Sequence, residues 1–320
     1  MKITLAIGLL LFIIVFYFSG NVKLFAILQG ISWMWFVSAF FVQIAIILLY
    51  TLRLKIILAA QKYHINFGKM FKILVSGMSV NQLTPVVKIG GEPVKVYYIS
   101  KNNIPSTKAL ASIIIEISAE LASLYTTLLF LVFLLSSMNY LSSEFFYAAL
   151  SIFIFFVISF ILVFRILFRE DKIEDIIRKY IQKFFKTNAK TASKLFSSSL
   201  KTLFVDKKLE FKIFAISFFS RFLEILRIYL VFRAVECAVP INLILSVWVL
   251  QFLFSMVPWL PGGLGLVEGG TISALVFLGI PAEISASLIL LDRILNLWLP
   301  VILGFFSVYL LKKEYQQEDF

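Results

Sequence analysis

Charged side chains interrupt the long apolar runs of this 320-residue sequence. A charge inside a bilayer is expensive, so such residues pair with one another, bind a substrate or line a pathway. The six acids and four bases in question are Lys88, Glu92, Glu116, Glu120, Arg221, Glu224, Arg227, Glu268, Asp292 and Arg293. Two interpretations stay open: the charges neutralise one another, or they hold a phosphate or zwitterionic headgroup that crosses a layer of low dielectric constant.

The spacing of these charges assigns some of them to helix faces. Glu116 and Glu120, four residues apart, share one face and are candidates for substrate contact or proton coupling. Asp292 and Arg293 are adjacent, so their side chains must point in different directions. We therefore expect only one residue of the adjacent pair to face a central site.

Two apolar stretches are broken by proline and glycine close to several of these charges. Residues 71–99 contain Thr84-Pro85 and Gly90-Gly91-Glu92-Pro93, and residues 243–280 contain the segment from Pro258 to Gly265. Proline removes a helix donor, and glycine permits backbone conformations that other residues resist. Such backbone is tolerated at membrane depth only where protein or a water-filled cavity satisfies it. Each stretch is therefore predicted to be a re-entrant hairpin that enters the membrane, breaks and returns.

Uncharged polar groups stand just before the first break. Asn81, Gln82 and Thr84 can each take part in hydrogen bonds. Capping of the preceding helix and contact with a substrate explain them equally well, and both alternatives stay open.

The composition places the elements that carry these residues in a membrane. Hydrophobic residues make up 61% of the chain and charged residues 15%, with a mean hydropathy of +0.96. Soluble domains average about 45–50% apolar and about 25% charged residues. We predict an all-α, polytopic integral membrane protein with six full spans and the two hairpins. The six apolar runs are Ile3–Phe18, Ile31–Tyr50, Ala109–Leu135, Phe145–Phe164, Ile213–Val231 and Ala286–Leu310.

The distribution of Lys and Arg orients these spans. Residues 165–212 carry thirteen basic and six acidic side chains, and positive charge concentrates on the cytoplasmic side of membrane proteins. We predict non-crossing hairpins, cytoplasmic termini in the cell membrane, and one transmembrane domain, 1–320, built as an inverted repeat of 1–137 and 145–310. An amphipathic helix at Ile173–Phe185 within the basic insert is interpreted as a cytoplasmic linker or a lipid sensor.

Several chemistries are disfavoured by the residues present. The single cysteine, Cys237, and the single histidine, His64, exclude a disulfide framework and argue against a metal site. Neither a P-loop nor a dinucleotide fingerprint occurs in the sequence, so we expect no cofactor and no enzymatic activity. The net charge of +12 is attributed to topology and anionic headgroups, and no nucleic-acid partner is expected.

A family resemblance lies in the two broken segments. They read NQLTPVVKIGGEPVK at 81–95 and PWLPGGLGLVE at 258–268. Together they resemble the paired motifs of the lysylphosphatidylglycerol synthase transmembrane-region family, the flippase-like domain. Arg293, and Pro300 with Gly304, fall where that family carries an arginine and a Pro-x-x-x-Gly element. The resemblance covers essentially the whole chain and implies a stand-alone member without a soluble catalytic domain.

The resemblance implies movement of a phospholipid or polyprenyl-linked lipid, with an anionic or zwitterionic headgroup, between leaflets. By match to the motifs, a functional role falls to Lys88, Glu92, Lys95, Glu268 and Arg293. Lys88 stands where arginine is commoner, which keeps the charge but loses bidentate phosphate geometry. The expected substrate-binding set is Asn81, Thr84, Lys88, Gly90, Gly91, Glu92, Lys95, Glu116, Glu120, Arg221, Pro261, Gly262, Gly263, Glu268 and Arg293.

Two other functions stay open beside lipid translocation. An intramembrane lipid-phosphate enzyme resembling undecaprenyl-pyrophosphate phosphatases would suit the four-residue spacing of Glu116 and Glu120. The Pro-Gly-x-Ser-Arg-Ser element of those enzymes is absent at Pro261–Gly265, which argues against this alternative. The other alternative is an accessory subunit that docks a separate lipid-modifying synthase or glycosyltransferase through residues 165–212.

Overall fold

The structure is a computed structural model that describes residues 29–84, 90–137, 189–255 and 261–318, together with residues 147, 150, 151, 154 and 158. Helices dominate these regions, and no β-strand occurs among them, so the all-α class is confirmed for the described part of the chain. The predicted span Ile3–Phe18 and the predicted amphipathic helix Ile173–Phe185 lie outside the described residues, as does most of Phe145–Phe164.

The helices are numbered in chain order. They are α1 (Trp33–Ala60), α2 (Phe67–Leu83), α3 (Glu92–Ser100), α4 (Ser106–Ser137), α5 (Ala189–Val205), α6 (Lys207–Ala234), α7 (Ile241–Ser255), α8 (Leu266–Phe277), α9 (Ala282–Arg293) and α10 (Leu299–Glu318). A 3₁₀ turn at Pro261–Gly263 precedes α8, and a π-helix at Ile294–Trp298 joins α9 to α10.

Among the residues that the structure describes, three continuous helical segments are long and apolar enough to cross a bilayer. They are Trp33–Ala60, Ser106–Leu134 and Ala282–Gln317, with mean hydropathies of 2.1, 1.8 and 2.1. About 20 residues suffice for a crossing. The shorter α7 and α8 are apolar as well. These helices fit a membrane protein, while the number of spans and the inverted repeat stay predictions.

The helix that contains the second apolar run, Ile31–Tyr50, is longer than the run, because α1 continues to Ala60. Two basic residues in this extension have local partners. Arg53 pairs with acids on α4, and the Lys55 ammonium lies 5.8 Å from the centre of the Phe67 ring. Because both charges have partners within the fold, the helix accommodates them beyond the end of the apolar run.

The described helices group into two compact units. The first contains the described residues up to Leu49, those within Phe71–Lys95, and those from Phe222 onward. In it, α8 packs against both α7 and α9. Glycines allow close approaches: a Cβ at Gly270 on α8 would lie 2.6 Å from the Phe254 ring, and one at Gly304 on α10 would collide with Ser79 of α2. Small residues bring helix backbones together in this way in membrane proteins.

The second unit contains Tyr50–Met70 and the described residues within Val96–Arg221. Its core joins the end of α1 to α4, α5 and the start of α6. The buried side chains are Ile57, Ala111, Ile115, Ala119, Ala192, Phe196, Leu200, Leu203, Leu209 and Ile213. The apolar face of α5, a helix of the basic 165–212 insert, is therefore packed against α4.

Candidate functional site

Asn81, near the end of α2, links the two sides of the break in the first motif. Its side-chain Nδ2 donates to Glu92 Oε1 at 3.1 Å, and its Oδ1 accepts from the backbone N–H of Gly91 at 2.6 Å. Glu92 Oε2 lies 2.6 Å from Lys95 Nζ, one turn further along α3. Glu92 and Lys95 are 9% and 5% exposed. One amide thus ties the two sides of the break together beside a buried acid–base pair.

Glycines explain how this pair fits. Gly91 lies against the backbone of Gly77 on α2, and a Cβ at Gly77 would lie 2.5 Å from Lys95 Cγ. The stem of Lys95 therefore occupies the space that a side chain at Gly77 would fill. The Thr84 hydroxyl donates to the Val80 carbonyl at 2.9 Å, which supports its interpretation as a helix-end residue over substrate contact.

The second motif turns sharply on glycine. Gly262 and Gly265 have φ values of 59° and 84°, a left-handed region that costs other residues about 1–2 kcal/mol. A Cβ at Gly262 would lie 2.8 Å from Leu297 Cδ1 and 3.1 Å from the backbone carbonyl oxygen of Gln82. Gln82 belongs to the first motif, so the two interrupted segments meet within the first unit.

Glu268, on the first turn of α8, is fully buried. Its Oε2 accepts from the backbone N–H of Gly265 at 2.7 Å, and its Oε1 lies 2.8 Å from Nε of Arg293. Arg293 is the last residue of α9 and is 5% exposed. The π-helix follows directly, a local widening that is frequent at functional sites.

Asp292 takes a different set of partners from Arg293, as predicted from their adjacency. Its Oδ1 accepts from Arg227 Nε at 3.0 Å, and its Oδ2 accepts from Gln251 Nε2 at 3.1 Å and Asn296 Nδ2 at 2.7 Å. Arg227 Nη1 in turn donates to Gln43 Oε1 at 2.6 Å. None of these three amide side chains is among the predicted site residues, although an amide inside an apolar run is a visible signal in the sequence.

A separate cluster of four charges lies in the second unit. Arg53 Nη2 lies 3.1 Å from Glu116 Oε1 and 3.2 Å from Glu120 Oε2, which confirms that the two acids share a helix face. Arg221 Nη2 lies 3.3 Å from Glu120 Oε1, and Arg53 Nη1 donates to Ser217 at 2.8 Å. Arg53 lies beyond the predicted apolar run Ile31–Tyr50 and is not among the ten charges predicted to lie in the membrane. Two bases and two acids balance here, which favours mutual neutralisation for this cluster.

The predicted site residues thus fall into two groups. The first unit holds Asn81, Thr84, Gly90, Gly91, Glu92, Lys95, Pro261, Gly262, Gly263, Glu268 and Arg293, and the second holds Glu116, Glu120 and Arg221. Lys88 lies outside the described residues. Within the described ranges, no three His, Cys, Asp or Glu side chains form a group that could hold a metal ion.

Residues 2–304 match the family model described as the lysylphosphatidylglycerol synthase TM region. The chain belongs to that family of membrane proteins.

Relatives match over nearly their whole lengths. The UPF0104 membrane protein MJ1595 of Methanocaldococcus jannaschii is 26% identical, with 98% of this chain and 95% of the relative covered. A UPF0104 membrane protein of Methanothermobacter thermautotrophicus is 27% identical over 82% of this chain and 81% of its own. The UPF0104 membrane protein PH1989 of Pyrococcus horikoshii is 21% identical over 93% of both.

Proposed function

We propose that this protein moves a lipid with a charged headgroup between the two leaflets of the cell membrane. The observation that carries the proposal is the meeting of the two interrupted motifs in one unit, each with its own buried acid–base pair. Glu92 faces Lys95 and Glu268 faces Arg293, while Gly262 of the second motif lies against Gln82 of the first.

The chemistry of the two pairs suits a headgroup. A lipid headgroup carries charge through an apolar layer only if the protein replaces its water with fixed charges and dipoles. A resident acid–base pair supplies both signs while remaining neutral when no ligand is bound. Broken helices near one another are also the typical construction of a transporter site.

The membrane topology belongs to the same proposal: non-crossing hairpins, an inverted repeat and cytoplasmic termini. It can be tested with single cysteines in a Cys237→Ser background. His64 and Ala238 are both exposed in loops. We expect a membrane-impermeant maleimide to label Ala238→Cys in intact cells and His64→Cys only after permeabilisation. Labelling of both from one side would contradict the topology.

The activity itself is tested in liposomes that contain fluorescent phosphatidylglycerol. Dithionite bleaches the outer leaflet, so a translocase makes the inner-leaflet fluorophores accessible as well. We expect the protein to accelerate this bleaching, and Glu92→Gln to slow it roughly tenfold, the effect of about 1.4 kcal/mol on the barrier. Glutamine can still accept the bond from Asn81 but cannot pair with Lys95.

Glu314→Gln is the matched control, because Glu314 pairs with Lys72 away from the motifs and its substitution removes the same negative charge. Leaflet exchange equal to that of empty vesicles for phosphatidylglycerol, lysylphosphatidylglycerol and a polyprenyl phosphate would contradict the proposal. Release of phosphate from a polyprenyl diphosphate would favour the enzyme alternative instead.

A further inference from the structure

The guanidinium of Arg293 has more hydrogen-bond donors than the described residues around it accept. One edge of a guanidinium carries the Nε–H and an Nη2–H as a parallel fork that fits two oxygens of one anion. Nε of Arg293 lies 2.8 Å from Glu268 Oε1 as an ion pair. Neither Nε nor Nη2 has a hydrogen-bond acceptor among the residues that the structure describes, although the side chain is buried.

Glu268 cannot fill that fork, because its two oxygens serve different donors. Oε2 accepts from the Gly265 N–H at 2.7 Å, at the start of α8, which leaves only Oε1 near the guanidinium. Its Oε1 makes no hydrogen bond within the described ranges. One oxygen of the carboxylate thus binds the backbone at the start of α8, and the other contacts a single nitrogen of the Arg293 fork.

A further donor lies on the same helix face. Thr271 is one turn after Glu268, and both belong to the buried face of α8. The Thr271 hydroxyl is fully buried and has no partner in the described part of the chain. Buried polar groups are nearly always satisfied in native proteins, and each exception calls for an explanation. Unsatisfied donors therefore lie both on Arg293 and on the helix face that carries its partner Glu268.

We propose that this cluster is a binding site for a phosphoryl group, in which Glu268 acts as a resident anion that the ligand displaces from Arg293. A phosphoryl group offers two oxygens to the Nε–Nη2 fork and a third to neighbouring donors. Its negative charge repels the Glu268 carboxylate, so binding and the Glu268–Arg293 contact exclude one another. This proposal rests on the proposed function, for which it names the headgroup chemistry, and it applies equally to free phosphate.

The test uses the full-length protein in nanodiscs of phosphatidylcholine. Inorganic phosphate and soluble dihexanoyl phosphatidylglycerol are titrated separately, and binding is followed by calorimetry. We expect Arg293→Lys to weaken binding roughly tenfold, because it keeps the charge but loses the fork. We expect Glu268→Gln to tighten binding roughly tenfold, because it removes the competing charge while its amide oxygen still accepts the Gly265 bond.

Glu314→Gln is again the control for the loss of one negative charge, and each variant must elute as a single species in size exclusion. Binding by the lipid alone identifies a headgroup as the ligand, and binding by phosphate alone identifies the free anion. The proposal is overturned if neither probe binds to the wild type and Glu268→Gln, or if both variants bind as the wild type does.

Leaflet exchange, measured on the same preparations, separates the two proposals. If lipids exchange between leaflets but ligand binding is the same in Arg293→Lys as in the wild type, translocation stands and the phosphoryl site is overturned. If binding is weaker in Arg293→Lys but no leaflet exchange occurs, the phosphoryl site stands and translocation is overturned.

Discussion

Asp292 and Arg293 are neighbours on α9, and their surroundings differ completely. Asp292 accepts hydrogen bonds from Arg227, Gln251 and Asn296. Arg293 has one ionic contact, to Glu268, and no hydrogen bond to any described residue from Nε or Nη2. Both side chains are buried.

The difference separates a structural charge from an available one. A buried charge whose two oxygens both accept hydrogen bonds fixes the helices that supply its donors, and any ligand would have to compete with all of them. The Arg293 guanidinium, by contrast, has donors without an acceptor among the described residues, and these donors can bind a ligand. Because one helix carries both residues, the satisfied Asp292 network positions the backbone from which Arg293 extends.

The largest expected effect comes from breaking the satisfied network. Asp292→Ala leaves Arg227 buried without its carboxylate, which should cost about 3–5 kcal/mol of unfolding free energy. Arg293→Lys should cost less, since an ammonium group can still pair with Glu268 and no hydrogen bond from Nε or Nη2 to a described residue is lost. Thermal unfolding in detergent, followed by the fluorescence of the tryptophans, measures both. Equal losses would contradict the distinction between the two neighbours.

The charge cluster of the second unit offers a similar comparison. Glu116 and Glu120 both contact Arg53, but their side chains are 2% and 33% exposed. We expect Glu116→Gln to lower stability by about 1–3 kcal/mol, the cost of weakening a buried charged bond, and Glu120→Gln to lower it by at most about 1 kcal/mol. The midpoints of chemical unfolding test this order, and a larger loss at Glu120 would reverse it.

Local rules predicted one part of the site from the sequence. Helix periodicity placed Glu116 and Glu120 on one face and separated Asp292 from Arg293, because side-chain direction in a helix depends only on spacing. Proline and glycine likewise marked both breaks, because their effects on the backbone are intrinsic.

Partners distant in sequence escaped prediction. Arg53 resembled a loop charge because it follows an apolar run, and only tertiary packing brings it to Glu116. Gln43 and Gln251 complete the network of Arg227 and Asp292 for the same reason. The buried face of α5 has a visible helical spacing in Ala192, Phe196, Leu200 and Leu203. It was not predicted because the basic charge of the insert is typical of a solvated segment.

A smaller effect is expected where the two motifs meet. Gly262→Ala adds a methyl group near Gln82 and strains a residue with φ of 59°, so we expect a loss of about 1–2 kcal/mol together with slower leaflet exchange. Gly279→Ala is the matched control, because its φ is 89° and nothing lies within 4 Å of the added carbon. It should lose similar stability without slower exchange. Equal exchange rates in the two variants would show that the contact between the motifs does not matter for transport.

The smallest effect should come from Glu314→Gln, the control in both functional tests. Lys72 and Glu314 form an ion pair whose side chains are 22% and 38% exposed, and exposed pairs contribute about 0–1 kcal/mol. Salt screens such a pair, so the difference from the wild type should shrink further at 1 M salt, whereas the loss in Asp292→Ala should persist because its charges are buried. Unfolding midpoints at low and high salt compare the two variants directly. A salt-independent loss in Glu314→Gln would mean that this pair belongs with the buried network, and the control would have to be replaced.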